Sequence, residues 1–483
     1  MITTTFVTAA LMLLLTPGDD AENPWKAQVA PAVQAAESSG TVAALRRALD
    51  TAWRADDWET GLQLAERAQH KHADSDELRG MVIRALWRAG RIEPAEALAR
   101  QVPSDTNDRI ALRWMIAIAL ARGQVDVAGE WSARLGKVGP ADALDLYAVF
   151  SANFAAHKYA GLPGQLRKVE QLTDAKNGYP EMYLSEAIDG LAKYLDAVGP
   201  TQLNQLACPG AVAMTPLIMT RLPSCEVLIN GHGPYRMVID TGGSVMVALD
   251  QAVANDVGLR SIAPATVRGV SGTQETGQTM IDELDVGTIK CKRVITRTFD
   301  VSAALMNSAD GIIGTGIFAD GRMTLDFANG QLTVAPSSAD AGPGQPVDVR
   351  VVGDAKLMAL VKVNDEPGVA LLDSGADVVA LAPSRLRELF PGQPIFSMKT
   401  PIAIGVGSDE SPEVSLAGGV QLQFAGRTFD NYGGVGLDVL DTILSPIIGI
   451  RMDILLGMPT FRQTSTVTVD FPTSRMWIDW LEQ

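Results

Sequence analysis

The chain has 483 residues, of which 47% are hydrophobic and 20% charged, which is enough for two or three globular domains and too apolar for a disordered chain. Its formal net charge of -16 opposes broad contact with phosphate backbones, so we expect no nucleic-acid partner. Only four histidines and three cysteines occur, without metal-site spacing, and we predict neither a metal nor a cofactor.

The amino terminus carries an apolar run from Phe6 to Leu15. The run is too short to cross a bilayer but has the length of a secretory signal core. No Lys or Arg precedes it, so a misassigned start or a membrane-tethered end are alternatives. We predict a signal or anchor over residues 1–30, membrane contact at most through this end, and an exported or periplasmic protein.

The sequence allows two states of the cysteines, a disulfide or free thiols. In an oxidising compartment, Cys208 and Cys225 are close enough in sequence to close a short loop and leave Cys291 unpaired. A buried free thiol is the alternative, and the spacing does not decide between them.

The segment from about Val42 to Val198 is rich in Ala, Leu, Arg and Glu, with apolar residues three and four apart, which predicts amphipathic helices. Similar short segments recur at Arg54–Asp56, Arg88–Gly90 and Ala121–Gly123. The spacing resembles that of tetratricopeptide repeats, in which helical hairpins stack on one another, and a generic helical bundle is the alternative. We predict a helical domain over 40–200 that supports the structure or binds a protein partner.

The composition changes after Gly199-Pro200, where several prolines predict a linker over 201–224. Beyond it, short Val, Ile, Leu and Thr runs alternate with Gly, Asn and Asp turns, which predicts strands. The segment from Glu226 to Ser244 is echoed by the one from Leu360 to Asp377. Each copy is predicted to form a strand, a turn and a second strand, followed by Asp-Thr-Gly in the first copy and Asp-Ser-Gly in the second.

The similarity between the two segments continues farther along the chain. Asp310–Gly314, followed by Met323–Phe327, corresponds to Met452–Gly457, followed by Val467–Phe471. The two Asp loops are 133 residues apart and the two apolar-apolar-Gly elements are 143 apart, so we predict a tandem duplication. The predicted lobes are residues 225–340 and 345–483.

From Cys225 to Gln483 these features resemble pepsin-like and retropepsin-like aspartic proteases, and the bacterial retropepsin-like group more than the viral one. The resemblance implies a C-terminal all-β bilobal protease. Together with the helical pattern of the first half, it predicts a multidomain α + β chain with an N-terminal α-helical repeat or bundle. It also implies metal-free hydrolysis of peptide or protein substrates by an endopeptidase whose two aspartates share one water and one proton. The residues implied are the catalytic pair Asp240 and Asp373 and their loop supports Thr241, Gly242, Ser374 and Gly375.

Two departures accompany the resemblance: Met458-Pro459-Thr460 replaces the Arg-Asn or Arg-Asp of viral retropepsins, and the Tyr-bearing flap of pepsins is absent. A Gly-rich hairpin follows each Asp loop by about 30 residues. Its glycines predict mobile flaps over an extended peptide, with ordinary surface hairpins as the alternative. The candidate flap residues are Gly269, Gly272, Gly405 and Gly407.

The sequence is also compatible with a second function. A non-catalytic peptide-binding or scaffold protein would keep the protease-like fold and recruit partners through its helices. The presence of both aspartates favours the enzyme. One chain supplies both Asp loops, although each lobe pairing with its counterpart in a second molecule leaves the oligomeric state open.

Overall fold

A computed structural model describes residues 23–482, except 140, 183, 185–187, 189, 219, 244–245, 270–271, 302–304, 306, 354, 393–395, 400–412 and 417. The candidate flap residues Gly405 and Gly407 and the apolar run before residue 23 lie outside the described residues. A helical amino-terminal region precedes a β-rich carboxyl-terminal region, which confirms the predicted multidomain α + β class.

Side-chain caps start several of the amino-terminal helices. Thr41 accepts a hydrogen bond from the backbone N–H of Ala44 at 3.3 Å, and Asp57 accepts one from that of Thr60 at 3.0 Å. The helices described in this region are Lys26–Ser39 (α1), Val42–Arg54 (α2), Trp58–Lys71 (α3), Asp76–Arg88 (α4), Ile92–Ala99 (α5), Arg109–Ala121 (α6), Val125–Leu135 (α7), Ala143–Ala155 (α8), Leu162–Leu172 (α9) and Leu191–Val198 (α10).

Alternate helices of this region stack side by side, with α2 against α4, α4 against α6 and α6 against α8. The helices approach closely, since a Cβ on Gly80 would lie 2.5 Å from the backbone nitrogen of Ala111. Helix α1 begins inside the predicted 1–30 segment, and just before it Asn23 donates to the carbonyl of Arg54 at 2.7 Å. Among the described helices, none is long and apolar enough to cross a membrane.

The described strands form three sheets. In the first, the order is β1-β9-β6-β10-β5-β4-β8-β7, β3 pairs with β4, and β8 also pairs with β9. Its strands are Gln205–Cys208 (β1), Thr215–Pro216 (β3), Pro223–Ile229 (β4), His232–Asp240 (β5), Val247–Asp250 (β6), Ala263–Gly269 (β7), Gly272–Val286 (β8), Ile289–Phe299 (β9) and Gly311–Gly314 (β10).

The second sheet has the order β13-β25-β24-β11-β12-β2 and joins the two halves of the sequence repeat. Strands β11 and β24 are antiparallel, and the hydroxyls of the paired residues Thr324 and Thr468 are 3.0 Å apart. The strands are Gly210–Ala213 (β2), Gly321–Asp326 (β11), Gln331–Pro336 (β12), Gln345–Val347 (β13), Thr464–Asp470 (β24) and Arg475–Trp480 (β25).

The third sheet has the order β18-β19-β22-β17-β23-β16-β15-β20-β21, and β14 pairs with β15. Its strands are Val349–Val352 (β14), Lys356–Val363 (β15), Glu366–Leu372 (β16), Val379–Leu381 (β17), Phe396–Lys399 (β18), Glu413–Leu416 (β19), Val420–Phe424 (β20), Arg427–Tyr432 (β21), Val435–Leu437 (β22) and Ile454–Leu456 (β23). The short α-helices of the β-rich region are Gln251–Asp256 (α11), Pro383–Leu389 (α12), Ser445–Ile448 (α13) and Met458–Phe461 (α14).

The segment 201–224, predicted as a linker, is part of the sheets. Strand β1 pairs with β9 of the first sheet, and β2 pairs with β12 of the second. The cysteines are free: Cys208 is exposed, whereas Cys225 and Cys291 are buried. The free-thiol alternative therefore holds, and the chain has no disulfide between Cys208 and Cys225.

A buried ion pair joins the helical region to the third sheet. Both carboxylate oxygens of Glu96 in α5 accept hydrogen bonds from Arg350 in β14, at 2.5 and 2.8 Å, and both residues are almost fully buried. Burial opposes the charge of Glu96, but hydrogen bonds from Arg122 and Arg350 outweigh it and lower the pKa of Glu96. The two regions are thus docked through charges that are paired with each other rather than with solvent.

We expect Glu96→Gln to destabilise the chain, because it removes the buried counter-charge of the Arg350 guanidinium and leaves the partly exposed Asp348, at 2.6 Å, as its acidic partner. The expected loss in the free energy of unfolding is about 1.5 to 3 kcal/mol, measured by urea denaturation of the full chain. Glu93→Gln is the matched control, since Glu93 is an exposed glutamate on the same helix and its replacement should cost less than about 0.5 kcal/mol. Equal stability of the two variants would contradict the prediction.

Candidate active site

The two aspartates of the sequence repeat stand at equivalent places in the first and third sheets. Asp240 ends β5, and Asp373 directly follows β16. Each of these strands has a parallel neighbour from the apolar-apolar-Gly element, β10 beside β5 and β23 beside β16. Both strand pairs are apolar and buried next to the aspartates, so each aspartate extends from a rigid part of its sheet.

The two Asp loops are joined by a reciprocal exchange of hydrogen bonds. The hydroxyl of Thr241 donates to the carbonyl of Leu372 at 2.7 Å and accepts from the backbone N–H of Ser374 at 2.9 Å. The hydroxyl of Ser374 donates to the carbonyl of Ile239 at 2.8 Å and accepts from the N–H of Thr241 at 3.0 Å. Because Thr241 and Ser374 are both buried, these bonds hold the loops together without competition from water.

Backbone N–H groups orient the two carboxyl groups. Gly242 and Gly243 each donate to Oδ1 of Asp240 at 2.8 Å, and Gly375 donates to Oδ1 of Asp373 at 2.8 Å. The carboxyl group of Asp240 is close enough to that of Asp373 for its charge and hydrogen bonding to raise the pKa of Asp373. The structure therefore places the two predicted catalytic residues side by side.

Glycine is required at the centre of each loop. A Cβ on Gly242 would lie 2.3 Å from Cγ of Asp373, and one on Gly375 would lie 2.5 Å from Cγ of Asp240. Each glycine thus lies against the aspartate of the opposite loop. Any larger residue would push the two carboxyl groups apart.

The environment favours the protonated form of one aspartate. Burial raises the pKa of Asp373 well above its usual value, and the charge and hydrogen bond of Asp240 raise it further. The Gly375 N–H and the charge of Lys356 act in the opposite direction without cancelling this effect. Such a pair retains one proton where isolated aspartates are both ionised, so it offers an acid and a base at one place.

The candidate flap residues are placed only in part. Gly269 and Gly272 face each other at the end of the long β7–β8 hairpin. Gly405 and Gly407 lie outside the residues that the structure describes, in the segment of the chain between the paired strands β18 and β19.

One charged residue beside the loops escaped the sequence analysis. Lys356 is fully buried, and its Nζ donates to the carbonyl of Gly243 at 3.2 Å. A lysine at the start of an apolar strand ordinarily reaches solvent, so no local pattern distinguishes this one. Its placement depends on contacts between residues more than one hundred positions apart.

The sequence model of a family described as aspartyl protease matches residues 225–317. The match includes Asp240, Thr241 and Gly242 and ends before Asp373. The match supports an aspartyl protease-like domain in this part of the chain, and with it a hydrolase that acts on peptide or protein substrates. A search of curated proteins found no match to the chain.

The raised pKa of Asp373 predicts a dependence of stability on pH. The folded chain binds a proton that the unfolded chain releases near pH 4, so its free energy of unfolding falls as the pH rises from about 4 towards the raised pKa, by up to about 1.4 kcal/mol per pH unit. We expect Asp373→Asn to remove this contribution, because an asparagine donates the same hydrogen bond without titrating.

Urea denaturation of both chains at several pH values measures the difference. Asp365→Asn is the control, since Asp365 is exposed in the β15–β16 turn and has a positive φ of 65°, which asparagine tolerates. Its stability should follow that of the unchanged chain with pH. If the Asp373→Asn curve also ran parallel to that of the unchanged chain, the buried proton would be absent.

Proposed function

We propose that this chain is an aspartic endopeptidase that hydrolyses peptide bonds with a water activated between Asp240 and Asp373. The observation that carries the proposal is the reciprocal bonding of Thr241 and Ser374, which holds the two Asp loops so closely together that the glycine of each lies against the aspartate of the other. The aspartyl protease match of residues 225–317 supports the same reaction class.

The protons are assigned from the two environments. In the resting state Asp373 is the neutral member, because burial and the neighbouring carboxylate favour its protonated form. Asp240 is the charged member and accepts two backbone hydrogen bonds through Oδ1. The pair carries one negative charge and one transferable proton.

The proposed reaction uses this proton and charge in two steps. Asp240 removes a proton from water while the water oxygen bonds to the carbonyl carbon, and Asp373 donates its proton to the carbonyl oxygen. The tetrahedral diol then collapses: the C–N bond breaks, Asp240 gives its proton to the departing nitrogen, and a diol hydroxyl returns its proton to Asp373. One water is consumed, and both carboxyl groups recover their original protonation.

The two-lobe arrangement of the proposal rests on repeated structure within one chain. An Asp-bearing strand with a parallel apolar neighbour occurs in the first sheet and again in the third. Strands β11 and β24, which contain equivalent segments of the repeat, meet in the second sheet. One chain thus supplies both halves of the site, and we propose that the repeat arose by tandem duplication.

For the helical region we propose stacked hairpins of tetratricopeptide-like type that support the protease and offer a surface to a protein partner. The stacking of alternate helices supports this reading. We also propose that the β7–β8 hairpin is a flap that covers an extended peptide, since it ends in two glycines. Export of the chain remains a prediction of the amino-terminal sequence.

Cleavage of a diverse peptide library by the purified full chain tests the reaction. Asp240→Asn and Asp373→Asn should each lower cleavage by at least about 1,000-fold, because each removes the acid–base function of the pair. Asp365→Asn, an exposed aspartate in the same sheet as Asp373, should leave cleavage unchanged. Cleavage that survives both substitutions places the chemistry elsewhere, whereas peptide binding without cleavage supports the non-catalytic alternative.

The pH dependence of the reaction follows from the shared proton. As the pH rises through the upper pKa of the pair, Asp373 loses its proton and the carbonyl oxygen loses its acid, so kcat/KM should fall about tenfold per pH unit. Initial rates with one cleaved peptide, measured from acidic to mildly alkaline pH, give this fall in kcat/KM, which is the alkaline limb of the pH profile. A flat profile over that range would contradict the shared-proton mechanism.

A further inference from the structure

Lys356 lies at the junction of the two Asp loops. It is the first residue of β15, and this strand pairs with β16 so that Leu357 faces Leu372. Continuing that antiparallel register by one residue puts Lys356 opposite Asp373. Its Nζ reaches the other loop, where it donates to the carbonyl of Gly243 at 3.2 Å.

A lysine in this position is costly unless it is compensated. The side chain has 0% exposure, and an ammonium group removed from water needs hydrogen-bond acceptors and opposite charge. The carbonyl of Gly243 supplies an acceptor, and the carboxyl pair supplies negative charge. By contrast, Lys362 on the same strand is exposed.

We propose that Lys356 is a positioning residue of the site, which anchors the Gly242–Gly243 turn of the first loop and sets a fixed positive charge beside the two carboxyl groups. The inference rests on the proposed function, since it concerns the same pair of aspartates. The carbonyl that Lys356 holds belongs to Gly243, whose N–H binds Oδ1 of Asp240 at 2.8 Å. A single side chain thereby links the β15 strand of one lobe to the aspartate of the other.

The charge acts together with the other groups at the site. Burial and Asp240 raise the pKa of Asp373, and the Lys356 charge opposes them. Asp377, farther along the same loop, is paired with Arg462 at 2.7 Å and is partly neutralised. With the carboxyl pair singly protonated, Lys356 brings the net charge of the centre to zero, and it shifts the working range of the pair towards acid.

The test compares Lys356→Met and Lys356→Gln with the unchanged chain and with Lys362→Met. Methionine removes the charge and the hydrogen bond, whereas glutamine removes the charge but keeps an N–H donor. We expect both variants to move the alkaline limb of kcat/KM for one cleaved peptide upward by about one pH unit. Lys362→Met should leave the limb in place, because it removes an exposed lysine from the same strand.

The difference between the two variants separates charge from anchoring. Lys356→Gln should keep more of the kcat than Lys356→Met, since its amide retains a donor for the Gly243 carbonyl. An unmoved alkaline limb in either folded variant would overturn the proposal. If neither neutral variant folds while Lys356→Arg does, the residue serves stability alone, and the proposal is likewise overturned.

A readout without substrate distinguishes failure of this inference from failure of the proposed function. The pH dependence of unfolding is measured for the unchanged chain, for Asp373→Asn, for Lys356→Met and for the variant with both substitutions, as a four-chain cycle. The free energy of unfolding falls with rising pH over the range in which folded Asp373 keeps its proton. This range should extend about one pH unit higher when Lys356 is replaced by methionine. If the shift is seen but no peptide is cleaved, the role of Lys356 stands and only the proposed protease activity is overturned. If peptides are cleaved but the shift is absent, the protease activity stands and the role of Lys356 is overturned.

Discussion

The exchange of hydrogen bonds between Thr241 and Ser374 is the constraint on which the site depends. Each hydroxyl donates to a backbone carbonyl just before the opposite aspartate and accepts a hydrogen bond from a backbone N–H just after it, so neither loop reaches this geometry alone. The exchange also forces the two carboxyl groups together. Their proximity, added to burial, raises the pKa of Asp373, and the proposed reaction uses the proton that Asp373 then keeps.

Packing around the loops leaves them little room to adjust. Gly242 and Gly375 each lie against the aspartate of the opposite loop, where a Cβ would overlap the carboxyl carbon. Behind them, the buried strands β10 and β23 hold the Asp-bearing strands in parallel register. The two aspartates therefore project from the ends of rigid strands, and the proposed reaction would need little reorganisation of their carboxyl groups.

The helical region is built into the same folded unit. The Glu96–Arg350 pair is buried between α5 and the third sheet, and the Arg451 guanidinium stacks on Trp58 at 4.1 Å from the ring centre. Buried charges tolerate few alternative arrangements, because a shifted interface would leave them unpaired. On the other side, Tyr194 of α10 donates to the carbonyl of Thr279 in the first sheet. The helices thus contact both the first and the third sheets.

The sequence alone determined the α + β class, the helical first half, and the two Asp loops that the structure brings together. Hydrophobic periodicity and internal repetition can be read from the order of residues along the chain without knowledge of their spatial contacts. It did not reveal that 201–224 joins two sheets, that the cysteines are free, or that Lys356 is buried beside Asp373. Each of these depends on partners distant in the chain, such as Gly243 for Lys356. Burial, pairing and the resulting pKa exist only once the tertiary structure has removed water from those contacts.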